Sequence, residues 1–311
     1  MYNPFSVKEM KLVYPHYYKN FKCTASACED TCCAGWEIVI DPRKAEYYNS
    51  VQGEIGDRLR REMKTDADGD IIFALNSGRC PFLNGCNLCD IYSALGEAAL
   101  CHTCTMFPRF VEDYGGTCEM GLGLACPEAA RLIVNDTGER ELLSEFNSEL
   151  PLPNDIDPER YFELVSLRKK LFAVIDDDAT PFENRLLKIL ELAGENNPVL
   201  PTTEECVNKL KKLDILTSRW EELVSKMPEE KGFSHNVHQL QNIAWYYIYR
   251  YFLRSVFDSD TLSKVRLCVL ACVVINAYSK EETIADIAHL FSKEVEYSAD
   301  NIKTIFKELK K

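Results

Sequence analysis

The chain has 311 residues, 14 of them cysteine, a hydrophobic content of 46% and a formal net charge of -13. That length builds a core without disulfide staples, and no basic stripe of the kind that tracks a phosphate backbone occurs, so nucleic acid is not an expected partner. The opening MYNPFSVKEMKLVYPHYYKNF has no apolar signal region, and the longest apolar stretch, VLACVVINAY at 269–278, falls short of the roughly 20 residues that span a bilayer.

The expectation is a cytoplasmic protein without a membrane partner. In a reducing compartment, dense cysteines point to metal or redox chemistry rather than cross-links. The acidic balance also suits a cationic substrate such as a lysine-bearing protein.

Taken in chain order, residues 23–36 read CTASACEDTCCAGW and place Cys23, Cys28, Cys32 and Cys33 close together. Adjacent residues on a strand point to opposite faces, so Cys32 and Cys33 reach one centre only if the chain turns there. WEIVID (36–41) and GDIIFAL (69–75) carry strand patterns. Between them, residues 41–65 read as one or two helices starting at Asp41-Pro42.

Three cysteine-bearing loops follow, RCPFLNGCNLCDIYSALGE, LCHTCTMFPRF and LACPEAARL. Loops that mix Cys with Gly and Pro let distant thiolates converge on a metal, whereas one helix cannot. Eleven cysteines precede residue 127, more than the four that one zinc site or one cubane uses. His102 is expected in a supporting role beside ligands. Glu29, Asp30, Asp90 and Tyr92 are candidate bases, weighed against ordinary loop hydrogen bonding. Arg109 is expected to pair with a carboxylate. EMGLGLA (119–125) matches the acidic-Gly-x-Gly pattern of Rossmann methyltransferases but is read as coincidence, because no alternating β-α chain surrounds it.

NSELPLPNDIDPER (147–160) reads as an exposed connection. Beyond it, helical periodicity runs through 160–175, 183–195, 203–227, 237–257, 262–279 and 298–311, with Thr202, Ser234 and Ser298 as caps. Cys268 and Cys272 read as buried small hydrophobes, and the aromatic run 245–252 as core. His235 and His238 read as exposed capping residues.

The expected fold is mainly α: an irregular cysteine-rich metal-binding region (1–146) with at most a small β element, a connecting segment (147–160), and a helical bundle of six or seven helices (161–311).

FKCTASACEDTCCAGWEIVID, GRCPFL, LCDIYSALGE, CTMFPRF and ACPEAARL, in that order, resemble the flagellin lysine-N-methylase family. The cysteine-rich core of that family is shared with a wider group of zinc- or iron-chelating proteins. The resemblance implies an S-adenosylmethionine-dependent methyltransferase that modifies the ε-amino group of lysines on a protein substrate, flagellin or similar, with an iron-sulfur centre of the 4Fe-4S type. Carried over by position, Cys23, Cys28, Cys32, Cys33, Cys80, Cys89, Cys104 and Cys126 match the motif as metal ligands; Cys86, Cys101 and Cys118 match it less closely. The competing expectation is a non-enzymatic module in which structural zinc or iron holds loops that bind another protein.

Overall fold

The structure is a computed structural model that describes residues 10–34, 38–147, 155–228, 232–233, 235–279 and 282–311. The chain condenses into two compact units, one of residues 22–110 and one of residues 1–21 with 111–311. The first strand, β1 (Met10–Pro15), belongs to the second of these.

In the 22–110 unit, Cys32 and Cys33 occupy a turn, as their adjacency demands; Gly35 and Trp36 lie outside the described residues. The chain then forms β2 (Ile38–Val39), α1 (Pro42–Ser50), α2 (Gly53–Glu62), β3 (Met63–Thr65), β4 (Ile71–Phe73), α3 (Asp90–Leu95) and α4 (His102–Met106). Proline at the first turn of α1 and an Asp41 side chain accepting from the Lys44 amide at 3.1 Å account for its start. Gly56 lets α2 cross close to the end of α1, because a Cβ there would stand 2.0 Å from the Val51 carbonyl oxygen. The strands form one antiparallel sheet in the order β2-β4-β3. Ile38, Tyr48, Leu59, Phe73, Phe82 and Ile91 make an apolar core beneath the cysteine loops. That core is larger than the irregular loops of the sequence suggested.

The other unit contains β5 (Arg109–Asp113), whose first two residues close the cysteine-rich unit, then β6 (Thr117–Leu122), α5 (Pro127–Val134) and β7 (Leu142–Asn147). The sheet order is β5-β6-β1-β7, with β1 parallel to β6 and antiparallel to β7. Gly115 and Gly116 take φ +67° and +112° in the turn between β5 and β6, backbone that L side chains rarely adopt. Two sheets therefore replace the small β element expected. β1 finds its partners far downstream, Lys11 opposite Thr117 and Met10 opposite Asn147, and no local hairpin signal marks such pairing.

Helices α6 (Pro158–Ile175), α7 (Phe182–Leu192), α8 (Thr203–Leu210), α9 (Ser218–Ser225), α10 (Val237–Tyr251), α11 (Ser255–Asp258), α12 (Thr261–Tyr278), α13 (Ile284–Glu296) and α14 (Ala299–Leu309) complete this unit. The segment expected to connect at 147–160 starts at the end of β7, passes through 148–154 outside the described residues, and enters α6 at Pro158.

Thr202 caps α8 in a reciprocal box with Glu205, and Ser298 caps α14; Ser234 lies outside the described residues. The 203–227 pattern splits into α8 and α9. Buried Glu294 accepts from the Leu216 amide at 2.8 Å and the Thr217 hydroxyl at 2.5 Å, and Thr217 caps α9. α13 escaped the periodicity reading, because Lys293, Glu294 and Glu296 interrupt its apolar stripe although their side chains are largely sequestered. α12 is long and apolar enough to cross a membrane, yet most of its side chains are buried within this unit, in contact with α8, α10, α13 and α14. Cys268 and Cys272 lie wholly inside, as does the run 245–249.

Candidate metal centre

Backbone hydrogen bonds in the 22–110 unit draw the cysteine loops together. The Cys80 amide donates to the Cys33 carbonyl at 2.7 Å, Ala34 bridges Arg79, Leu83 bridges Cys89, and the Asp90 amide donates to the Phe82 carbonyl at 2.8 Å. Asn84 fastens the 84–90 loop by accepting from the Cys86 and Leu88 amides and donating to Asp90. Arg58 clamps the same loop: it donates to Asp90 at 2.6 Å and to the Pro81 carbonyl, and lies 4.9 Å from the centre of the Phe82 ring. Asp41, besides capping α1, accepts from the His102 amide at 2.9 Å and so positions the start of α4, which carries Cys104.

The outcome is a sulfur-lined patch on the apolar core: Cys80 and Cys101 are buried in it and Cys33, Cys89 and Cys104 pack against it. The thiols interact. The Cys32 thiol donates a hydrogen bond to Cys33, and this bond, with help from Thr31 and Arg79, holds the Cys33 thiol down at about 7 despite burial. Cys101 is likewise held below the ordinary thiol range by a hydrogen bond from Cys104, whose own proton is retained far above it. Burial raises Cys80 to about 12 and raises Cys89, and both also feel Cys33. Cys104 feels Cys33 and Cys32. Six thiols are thus linked in a chain of contacts: Cys33, Cys80, Cys89, Cys101 and Cys104 at the apolar core, and Cys32 through its bond to Cys33.

Five of these six match the motif set of ligands; Cys101 is the addition. Its sequence signal was the Cys-x-x-Cys spacing with Cys104. Cys23 and Cys28 interact with each other on the preceding loop, Cys28 being raised chiefly by burial. Cys86 is exposed.

Cys118 and Cys126 belong to the other unit. Cys118 packs with Met10 and Leu12 in the β1–β6 layer, and burial raises it to about 11. Cys126 begins α5, buried, beside Tyr297. Among the described residues no three His, Cys, Asp or Glu side chains meet in a group that could hold an ion. What the unit offers a metal is donor chemistry: soft sulfur donors at the edge of an apolar core, two of them, Cys33 and Cys101, held below the ordinary thiol range.

The other residues singled out from sequence are mostly occupied. Asp90 is held below the usual carboxylate range, burial being outweighed by Arg58 and Asn84. Asp30 accepts from the Thr31 amide at 2.7 Å. Tyr92 and His102 are exposed, and Arg109 is half-buried at the start of β5. His238 caps no helix; its ring meets the Asp136 carbonyl at 2.7 Å and Arg140 at 3.2 Å, while His235 is exposed.

EMGLGLA does lie on a strand that leads into a helix, β6 into α5, a context the sequence reading did not expect. Its acid, Glu119, is sealed in a buried bidentate pair with Arg168 at 2.5 and 2.7 Å and is not open to a ligand. A second charged centre passed unnoticed in the sequence. Glu296 accepts from the hydroxyls of Tyr246, Tyr247 and Tyr251 at 2.8–2.9 Å and pairs with Arg250 at 2.9 Å.

The model of the FliB lysine N-methylase C-terminal domain matches residues 131–311. A lysine-N-methylase of Salmonella choleraesuis is 34% identical over 136 residues, which cover 42% of this chain and 34% of that protein; the Salmonella typhimurium lysine-N-methylase gives the same figures. The chain thus spans about a third of the length of these curated relatives. The flagellar biosynthetic protein FliU of Salmonella muenchen is 34% identical over 136 residues, 80% of its length. No solved structure matches. The chain belongs to the FliB lysine N-methylase family.

Proposed function

We propose that this protein transfers methyl groups from S-adenosylmethionine to lysine ε-amino groups of a protein substrate, flagellin or a similar surface protein, in the cytoplasm, and that an iron-sulfur centre of the 4Fe-4S type is held by cysteines of the 22–110 unit. The observation that carries this reading is the gathering of five thiols on one core, with Cys32 bonded to one of them, in a member of a family whose relatives are named for lysine methylation. The ligands are drawn from Cys32, Cys33, Cys80, Cys89, Cys101 and Cys104. Cys23 and Cys28 are neighbours of each other, and the set of six forms without Cys126.

Methyl transfer requires the lysine lone pair. A lysine with its ordinary pKa of about 10.4 is protonated at neutral pH, so the site must desolvate the amine or accept its proton. The nitrogen then attacks the sulfonium methyl: a C–N bond forms, the S–CH3 bond breaks with its electrons left on a neutral thioether, and the new ammonium sheds a proton. Asp90 is a poor acceptor for that proton, since Arg58 and Asn84 hold it as a carboxylate already satisfied. When bound, a cluster supplies a fixed, highly charged inorganic group and a redox-active one. This chain's cysteines contribute soft sulfur donors, and the loops bearing them are held by Arg58, Asn84 and Asp41.

The test is anaerobic purification, iron and sulfide analysis, and incubation with labelled donor and flagellin, with labelled lysines mapped by mass spectrometry. The reading predicts a brown protein that labels lysine. A colourless, zinc-loaded protein that labels nothing contradicts it and supports the structural-module alternative; transfer by cluster-free protein removes the metal from the chemistry.

A further inference from the structure

The 111–311 part of the chain contains a cavity of 310 Å³, within the size range of small-molecule sites. Its apolar lining comes from Leu190, Val199, Leu200, Val269 and Leu270. All of its lining residues lie within the segment that matches the family domain.

The charges at its rim are nearly all spent internally. Arg266 grips Glu195 through two nitrogens at 2.8 and 3.2 Å and donates to the Leu309 carbonyl at 2.7 Å. Glu308 accepts from Lys212 and Lys311, both at 2.6 Å. Glu205 accepts from the Thr202 amide at 2.8 Å and has acceptor capacity left over. Lys209 is the exception: half-buried at the cavity, it has no carboxylate partner among the described residues.

A half-open groove with an apolar wall, one ammonium that has no carboxylate partner among the described residues, and a carboxylate of spare acceptor capacity suits a ligand with a flat, weakly polar body, hydroxyl groups and one carboxylate. We propose that this cavity binds the methyl donor, an adenosyl amino acid: the adenine against the leucine and valine wall, the amino-acid carboxylate on Lys209, and donor hydroxyl or ammonium groups on Glu205. The assignment rests on the donor-dependent methyltransferase reading and adds the site that reading lacks. It also explains why EMGLGLA is not needed for the donor, since Glu119 is already sealed by Arg168.

The test is calorimetric titration of the whole protein with S-adenosylhomocysteine and, separately, with adenosine, which lacks the carboxylate. Lys209→Glu weakens S-adenosylhomocysteine binding at least tenfold and leaves adenosine binding within twofold. Val199→Trp, at a position 80% exposed and therefore tolerant of change, weakens both by occupying the mouth. Unchanged melting temperatures show that the variants fold. If both variants bind S-adenosylhomocysteine as tightly as the parent, the cavity is not the donor site and the methyltransferase reading stands. If the parent does not bind it at all, the proposal falls, and lysine labelling by the same preparation decides whether the reading falls with it.

Discussion

The two units dispose of their polar groups in opposite ways. In the helical unit, buried charge is closed upon itself: Glu119 with Arg168, and Glu296 with Arg250 and three tyrosine hydroxyls. In the cysteine-rich unit, Arg58, Asn84 and Asp41 are likewise spent on fastening loops, but the sulfur atoms those loops present touch backbone amides and one another. A buried ion pair that completes itself is scaffold, whereas thiols gathered at the edge of an apolar core keep soft sulfur donors available to a partner.

The largest expected effect tests the closed side of that contrast. Glu119→Gln leaves the Arg168 guanidinium buried without its anion and costs about 3–5 kcal/mol in denaturant unfolding. Replacing both partners by Leu and Met restores most of the loss, because a buried pair can give way to apolar groups of similar volume. A loss under about 1 kcal/mol for the single change would mean that the pair is not desolvated.

In the cysteine-rich unit the corresponding scaffold change is Gly56→Ala. Its methyl would meet the Val51 carbonyl, so the α1–α2 crossing must open at a cost of about 1–3 kcal/mol. Hydrogen exchange should accelerate within 38–73 and stay unchanged in α10 and α12; equal acceleration in both units would erase the distinction between them.

A smaller effect follows from Asp41. The His102 amide, followed by that of Lys44, holds its carboxyl below the usual range. A depressed native pKa means the unfolded chain takes up the proton first. The Asp41 contribution, about 1 kcal/mol for such a cap, is therefore present above the ordinary aspartate value and is lost as pH falls through the native one. Asp41→Asn should flatten the acid limb of the unfolding curve, and an unchanged limb would contradict the assignment. The smallest effect is that of Cys268→Ala, which removes a buried sulfur from the helical core and should leave metal content and transfer untouched while lowering stability modestly.

Local chemistry was readable in the sequence, and long-range pairing was not. The Asp41-Pro42 start, the Thr202 and Ser298 caps and the Cys32-Cys33 turn each arise from neighbours within a few residues, and each occurs as expected. The β1–β6 and β1–β7 ladders join segments far apart in the chain, Lys11 with Thr117 and Met10 with Asn147, and left no local mark, so the extent of β structure was underestimated. α13 was hidden by charges that only tertiary partners make tolerable, such as Glu294 with Thr217 and Glu296 with Arg250. For the candidate site, motif order named eight cysteines, and the fold distributes them: Cys33, Cys80, Cys89 and Cys104 at one core and Cys126 in the other unit. Cys101 carried a spacing signal in its Cys-x-x-Cys relation to Cys104, but its burial in the core is a property of the fold.

The central claim is that the six linked thiols of residues 22–110 hold an iron-sulfur centre. It is tested most directly by iron and sulfide stoichiometry with visible absorption for the anaerobically purified chain and for its Cys33→Ser, Cys101→Ser and Cys118→Ser variants. The account predicts about four iron and four sulfide per parent chain, their loss in Cys33→Ser and Cys101→Ser, because a hydroxyl is a poor soft-metal ligand, and full retention in Cys118→Ser. A parent chain without iron and sulfide, or a chromophore that survives both Cys33→Ser and Cys101→Ser, would contradict it.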